Sequence, residues 1–432
     1  MMNALDELRA GKLAGATRVD LSCGMTEFPH EVFDLADSLE VLNLSGNALH
    51  ELPDDLGRLK KLRILFCSNN RFTHLPAVLG ECESLGMIGF KANQIEEVSS
   101  AAFPSCLRWL ILTDNRIQSL PASLGRCTEM QKLMLAGNRL SALPNEMQAC
   151  MKLELLRLAA NEFLELPAWI SKLPRLAWLA FAGNPCSQTA SVPAIDVPWR
   201  DLKLEQKLGE GASGEIHRAV WRDEAVAVKV FKGTMASDGL PRCEMDASLA
   251  IGQHPNLIPV KANLSEHPQG ALGLVMSLID PSCISLAGPP SFQSCTRDIY
   301  PEELRFTPAE ALQLARGIAS AVQHLHERGY SHGDLYAHNI LWDRQGRCLL
   351  GDLGAASFFE NGSMAAAIQR IETRAFGFLL EELLDRTIDS ASASDSLEAL
   401  RRLQTDCSLP DVLARPTFGE ISTELHQFSI AS

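Results

Sequence analysis

Between residues 39 and 184 a nine-residue phrase of apolar and polar positions, L-x-x-L-x-L-x-x-N, returns again and again. It reads Leu39-Leu42-Leu44-Asn47, Leu107-Leu110-Leu112-Asn115 and Leu153-Leu156-Leu158-Asn161 in its cleanest copies. The asparagines fall at Asn47, Asn70, Asn93, Asn115, Asn138, Asn161 and Asn184, a period of 22 or 23 residues. So regular a period predicts a solenoid of stacked repeats. The alternating leucines predict a short strand in each copy, with leucines inward. Asparagine, with two donors and an acceptor, can satisfy backbone groups where that strand turns away. Downstream each copy continues as x-L-x-x-L-P, as in Leu49-Leu52-Pro53 and Ile117-Leu120-Pro121. A degenerate first copy runs through Val19, Leu21, Phe28 and Pro29, with Gly24 in place of the asparagine. Cys67, Cys82, Cys127 and Cys150 stand at apolar slots of the pattern, so they read as small buried hydrophobes.

The period stops after Asn184-Pro185, and Ser187 to Pro198 is rich in Ser, Thr, Ala and Pro. This predicts a repeat domain over 1–186, a linker over 187–200 and a second domain over 201–428. The second domain reads as strands followed by helices, an α+β unit. Within it Gly209-Glu210-Gly211-Ala212-Ser213-Gly214 gives G-x-G-x-x-G, a weak signal alone. Val226-Ala227-Val228-Lys229 follows as an alternating strand carrying one lysine, and Glu244 opens a helical segment fifteen residues on. His332-Gly333-Asp334, Asn339, Asp352-Leu353-Gly354 and Arg415-Pro416-Thr417-Phe418 complete the order.

The repeat phrase resembles the leucine-rich repeat family, in its 23-residue class, with about eight copies here. The second set of motifs resembles the protein kinase family, over about 220 residues and in that family's order. The expected fold is therefore an α/β leucine-rich repeat solenoid followed by an α+β bilobal protein kinase-like domain, with a small lobe over 201–279 and a large lobe over 280–428. The resemblance implies ATP and Mg2+ as cofactors. It implies ATP-site positions at Leu208, Gly209, Gly211, Gly214, Ile216, Ala227, Lys229, Glu244, Met276 and Leu278, with Met276 as gatekeeper of the adenine hinge. Lys229 would bind the α and β phosphates and pair with Glu244, with Asp246 two residues on as the alternative acid, Asp334 would accept the proton of the attacking hydroxyl, and Asn339 and Asp352 would hold the metal. His332 is expected to prop the catalytic loop. Glu372 to Leu384 is expected to form the long core helix of the large lobe.

The chain departs from the kinase pattern in ways that bear on control. Gly333 replaces the arginine usual before the catalytic aspartate, so the loop lacks a cation for a phosphorylated activation segment. Tyr336 stands where serine/threonine kinases carry lysine; the acceptor is read as Ser/Thr with Tyr left open. Only twenty residues separate Asp352 from Glu372, with no A-P-E between them. Arg415, lacking that glutamate, is expected to contact another acid such as Glu360 or Glu381.

Composition narrows the partners. Hydrophobic residues at 46% and charged residues at 21% are ordinary for folded domains. A net charge of −14, from 39 Lys and Arg against 53 Asp and Glu, argues against nucleic acid and anionic membranes. With no basic leader, no apolar run of spanning length and twelve cysteines without a C-x-x-C pair, the chain reads as a cytoplasmic protein with reduced thiols. The third strand position of the repeats, Val41, Ile64, Met87, Trp109, Lys132, Leu155 and Trp178, is apolar in six of seven copies. With Phe66, Ile111 and Met134 beside it, this row predicts a concave binding strip for a protein substrate or regulator. The leading function is an ATP-dependent protein kinase whose repeats recruit its substrate. A pseudokinase scaffold and a small-molecule phosphotransferase of kinase-like fold are the alternatives.

Overall fold

A computed structural model describes residues 4–189, 193–211, 213–236, 238–388 and 394–428. Ala212 of the glycine motif lies outside these residues, as does the middle of the expected linker. The chain divides into two compact units, Met1–Arg175 and Leu176–Ser432.

In the first unit each repeat contributes one three-residue strand. Arg18–Asp20, Val41–Asn43, Ile64–Phe66, Met87–Gly89, Trp109–Ile111, Lys132–Met134 and Leu155–Arg157 pair side by side, all parallel. The register places each third position opposite the next, Val41 on Ile64, Ile64 on Met87, Met87 on Trp109 and Trp109 on Lys132. Short 3-10 turns follow most of the L-P steps, as at Ala122–Arg126 and Asn145–Ala149. Proline opens such turns well because its fixed φ suits their first residue and no backbone donor is lost.

The asparagines knit neighbouring copies together. Asn138 donates through Nδ2 to the carbonyls of Leu112 and Leu135, both at 2.9 Å, while its Oδ1 accepts from the Ile117 amide at 3.0 Å. Asn115 and Asn161 repeat the arrangement. Strand leucines such as Leu42, Leu110 and Leu156 are fully buried. The four cysteines at apolar slots are buried too, and burial pushes Cys82 and Cys150 up to about 11 and Cys127 up to about 12, which leaves them as inert thiols. None of the twelve cysteines is in a disulfide.

The second unit begins with the repeat strand Trp178–Ala180. Its small lobe is a six-stranded sheet in the order Asp196–Pro198, Val260–Ser265, Gly273–Ser277, Glu224–Phe231, Gly214–Trp221, Lys203–Glu210. Part of the expected linker is therefore structured: Asp196–Pro198 pairs in parallel with Val260–Ser265, with Val197 in the lobe's core. The helix Pro241–Ile251 packs on this sheet, opening with proline at its first position and ending where Gly252 takes φ +72. The large lobe holds four helices among the described residues, Pro308–Glu327, Ser363–Leu384, Ser394–Cys407 and Phe418–Gln427. Capping boxes start two of them, Thr307 with Glu310 and Thr417 with Glu420, so the threonine of the R-P-T-F motif is a helix cap.

The core helix expected from Glu372 starts nine residues earlier, at Ser363. Asn361-Gly362 breaks the chain just before it, and the run Ala365-Ala366-Ala367 favours helix. No described helix is long and apolar enough to cross a membrane.

The asparagine ladder yields a stability prediction. Asn138→Ala strands the Ile117 amide and takes one of two asparagine donors from each of the Leu112 and Leu135 carbonyls, which Asn115 and Asn161 still reach, so it is expected to cost about 1–3 kcal/mol. Urea unfolding of the full chain, followed by tryptophan fluorescence, should show the repeat transition at lower denaturant. An unshifted midpoint would remove the ladder from the account.

Candidate active site

Lys229 projects from the Glu224–Phe231 strand and Glu244 from the first turn of the Pro241–Ile251 helix; their side chains meet at 2.5 Å. Both are buried, at 7% and 5% exposure. Asp352 lies 3.8 Å from the same ammonium, with its own side chain about half exposed. Burial pulls Lys229 down, but Asp352 and Glu244 outweigh it and hold the ammonium above its ordinary value. Burial pushes Glu244 up to about 7, against the attraction of Lys229 and with the help of Asp352. The cleft thus keeps a permanent cation beside two acids that crowd one another.

Asp352 takes φ 52, an uncommon angle for a residue with a side chain, and its carboxylate accepts from the Gly354 amide at 3.2 Å. Asn339 donates through Nδ2 to the Asp334 carbonyl at 2.9 Å and to Asp334 Oδ2 at 2.8 Å. With that nitrogen committed, the amide oxygen is the atom Asn339 has left for a cation. Asp352 and Asn339 thus supply oxygen donors, the type that magnesium selects.

A cavity of about 180 Å³ opens beside Lys229, Glu244 and Asp352, lined by Gly211, Gly214, Ile216 and Met276 among others; Asp334 and Asn339 are not among its lining residues. Leu278 lies instead on a neighbouring cavity of about 500 Å³, with Asp280 and Leu349. Ala227 is opposite Met276 in the sheet, while Leu208 is about half exposed. The glycines of the loop differ in kind. A side chain at Gly214 would strike the Val230 carbonyl at 2.5 Å, so packing explains that glycine. At Gly209 and Gly211 a side chain would meet only open space, so internal packing does not account for their lack of one.

The catalytic-loop motif is held from beneath. His332 is fully buried, accepting from the Asp334 amide through Nδ1 at 3.2 Å and donating through Nε2 to the Gly351 carbonyl at 2.9 Å. Glu372, 2% exposed, accepts the amides of His332 and Gly333 at 3.1 and 2.7 Å and bonds His326 at 2.7 Å. Burial works to raise its carboxyl, but His326 and the loop amides prevail and hold it below the ordinary glutamate value. His338 bonds Asp298 through both its amide and its ring. Sequence reasoning assigned no role to Glu372 in holding the loop, nor to His326 or Asp298, because these residues lie far from their partners and share no motif with them.

Two expectations need correction. Arg415 is buried and donates to the carbonyls of Leu409 and Arg370 at 2.8 and 3.1 Å; Glu381, offered as its acid, pairs with Arg297 at 2.8 Å. Two of the guanidinium's donors are thus taken by carbonyls, and Asp411 is an acid whose charge acts on it. Trp178 does not stand on an open concave strip: it is 1% exposed, its ring stacked on Tyr336 at 4.2 Å and on Phe378 at 5.3 Å. Of the remaining strip, Phe66, Trp109, Ile111 and Met134 are half-buried, and the ammonium of Lys132 lies 4.3 Å over the Trp109 ring.

A solenoid of repeats and a two-lobed unit gathering Lys229, Glu244, Asp352, Asp334 and Asn339 define a repeat protein joined to a kinase-like domain. Comparison with known families agrees: residues 38–59 match the leucine-rich repeat and residues 202–386 the protein kinase domain. The chain carries a leucine-rich repeat and a protein kinase domain. Among curated proteins it is similar to the dual specificity protein kinase pyk3 of Dictyostelium discoideum, 22% identical over 53% of this chain and 19% of that one. It is similar also to the CBL-interacting serine/threonine-protein kinase 7 of Arabidopsis thaliana, 29% identical over 41% and 40%, and to the serine/threonine-protein kinase mos of Gallus gallus, 28% identical over 42% and 55%. The chain thus spans from about a fifth to about half the length of these three relatives. A solved leucine-rich repeat protein of Leptospira interrogans aligns over 43% of this chain and 52% of its own, at 26% identity and a TM-score of 0.34.

Glu244 gives a pH prediction whose sign is fixed. Its carboxyl titrates near 7 when folded against 4.5 ordinarily, so between those values the folded protein keeps a proton that the unfolded chain has released. Stability from this group is therefore expected to fall as pH rises through that window. Glu244→Gln should flatten that limb in denaturant midpoints taken against pH; an unchanged limb assigns it elsewhere.

Proposed function

We propose that the chain is an ATP- and magnesium-dependent protein kinase, transferring the γ-phosphate to a protein hydroxyl, Ser or Thr, and that its repeats recruit the substrate or a regulator. The observation that carries this reading is the buried Lys229–Glu244 pair with Asp352 at 3.8 Å, set beside the Asp334–Asn339 bond. Bound ATP with magnesium supplies the activated phosphoryl group. The chain's own residues do the rest: Lys229 neutralises phosphate charge, the open backbone at Gly209 and Gly211 lets amides approach the phosphates, and Asp352 and Asn339 hold the metal. Asp334 orients the acceptor hydroxyl and takes its proton. Ile216, Ala227 and Met276 form the apolar surroundings of the adenine, with the half-exposed Leu208, and Leu278 from the neighbouring cavity, as outer contacts. The half-buried Trp109, with Phe66, Ile111 and Met134, is the surface for a protein partner, and tethering there raises the substrate's effective concentration. Twelve reduced cysteines fit a cytoplasmic setting.

Asp334→Asn should lower phosphoryl transfer by about a hundredfold or more while leaving ATP affinity within about twofold, because no phosphate or metal contact is lost. Asp352→Asn should weaken magnesium-dependent ATP binding as well. Transfer from γ-labelled ATP into lysate proteins, with titration of a fluorescent ATP analogue, measures both. Label found only in small molecules would favour a metabolite phosphotransferase, and label nowhere with intact nucleotide binding a pseudokinase scaffold.

The segment from Leu353 to Gly362 is too short to carry an ordinary phosphorylation switch. Its Ser357 is fully buried and donates to the Ala355 carbonyl at 3.1 Å. The enzyme is therefore expected to be active as synthesised, and phosphatase treatment should leave its rate unchanged. Silencing by phosphatase, with the lost phosphate mapped between residues 355 and 371, would reverse this.

A further inference from the structure

The second unit contains a repeat strand that the kinase-like fold does not need for its own sheet. Trp178–Ala180 runs past the catalytic loop, and two of the residues it meets there, Gly333 and Tyr336, are positions where the sequence departs from the ordinary kinase pattern. The Trp178 indole donates to the carbonyl of Leu335, the residue after Asp334, at 3.0 Å. Its ring lies within 6° of parallel to Tyr336, the residue standing in place of lysine. Gly333, in place of arginine, takes φ +72, and a side chain there would strike the Leu179 carbonyl at 2.8 Å and the Ala355 carbonyl at 2.6 Å. The backbone passes where an arginine side chain would need to be. Just beyond the strand, the amides of Phe181 and Ala182 both donate to Ser357 Oγ, at 2.8 and 3.1 Å, and Ser187 donates to the Phe358 carbonyl at 2.8 Å. Ser357–Phe358 is all the strand that the shortened segment retains, pairing with Tyr330–Ser331.

We propose that the Trp178–Ala180 strand is a working part of the catalytic lobe, with Trp178 as a positioning residue that holds the Leu335–Tyr336 backbone, and so Asp334, in place of a phosphorylatable activation segment. Three substitutions that look unrelated in the sequence, Gly333, Tyr336 and the missing length after Asp352, then have one cause. Glycine makes room for the strand, tyrosine offers it a flat face, and the short segment leaves the surface on which it lies. Stacking extends further, since Phe378 lies under Trp178 at 5.3 Å and carries Arg297 at 4.2 Å, so the indole is gripped on more than one side. No phosphate is required for any of these contacts, which is what distinguishes this device from ordering by a modified loop.

The inference rests on the kinase reading, and the test separates the two. In the full chain, Trp178→Ala is expected to lower kcat by on the order of tenfold to a hundredfold, measured as transfer from γ-labelled ATP to a mixed Ser/Thr/Tyr peptide library. KM for ATP and the affinity of a fluorescent ATP analogue should stay within about twofold, since no nucleotide contact is touched. Trp178→Phe, which keeps the stack and loses the N–H, should recover most of the rate. Hydrogen exchange at the amides of 332–339 should quicken by about tenfold in Trp178→Ala. An unchanged kcat overturns the proposal, and a raised kcat overturns it too by making the strand an obstruction. If the wild-type chain transfers no phosphate, the kinase reading fails, and the exchange measurement alone decides the strand's role: unaltered exchange at 332–339 defeats it. If Trp178→Ala does not fold, Trp178→Leu, which loses both the stack and the N–H, and Ser357→Ala carry the test: both are expected to lower kcat and quicken exchange at 332–339, and wild-type kcat and exchange in both would overturn the proposal.

Discussion

A single buried carboxylate sets the geometry of the large lobe. Glu372 sits in the middle of a 22-residue helix, nearly without solvent, and takes two successive backbone amides of the loop that presents Asp334. A carboxylate so deep is costly unless its oxygens are fully engaged, and His326 supplies the further bond. The helix therefore cannot rotate or slide without stranding a charge. His332, the first residue it holds, in turn ties the loop to Gly351, next to Asp352. Asp334 and Asp352 are thus referred to one rigid post.

The upper lobe adds a second fixed reference. Lys229 is anchored from the sheet side by Glu244, whose helix is packed on the same sheet, so the cation's place follows from strand register rather than from a flexible reach. Asp352 reaches Lys229 from the large lobe, and its left-handed backbone angle shows that its place is imposed by its surroundings. The segment after Asp352, before the Ser363–Leu384 helix, has been trimmed to about the length of one strand and one turn.

What was legible in the sequence was what is local. The repeat period, the inward leucines, the asparagine ladder and the short motifs around Lys229, Asp334 and Asp352 each lie within a few residues, and residue type alone suggests what they do. What was not legible depends on pairs far apart in the chain. Glu372 and His332 are 40 positions apart, and Trp178 and Leu335 are 157 apart. Trp178 occupies the same slot of the repeat phrase as Trp109, so no periodic argument could distinguish a residue of the concave row from one packed on a catalytic loop. The signal was present in another place: Gly333 and Tyr336 broke the kinase pattern together, and both face the same strand. The early start of the core helix was readable from Asn361-Gly362 and the alanines behind it, had helix propensity been weighed above motif spacing.

The long separation between Trp178 and its partners has a kinetic side. Trp178-Leu179-Ala180-Phe181 is an uncharged apolar stretch that leaves the ribosome well before the residues that will cover it. Contacts closing loops of this size form late, because chain entropy must be surrendered before they return any stabilisation. During synthesis the stretch is bare, with the low charge and high hydrophobicity that favour self-association. Yield of soluble protein should thus depend on how fast the last hundred residues are made and folded, and a slow C-terminal half would be felt first as aggregation seeded more than 150 residues upstream.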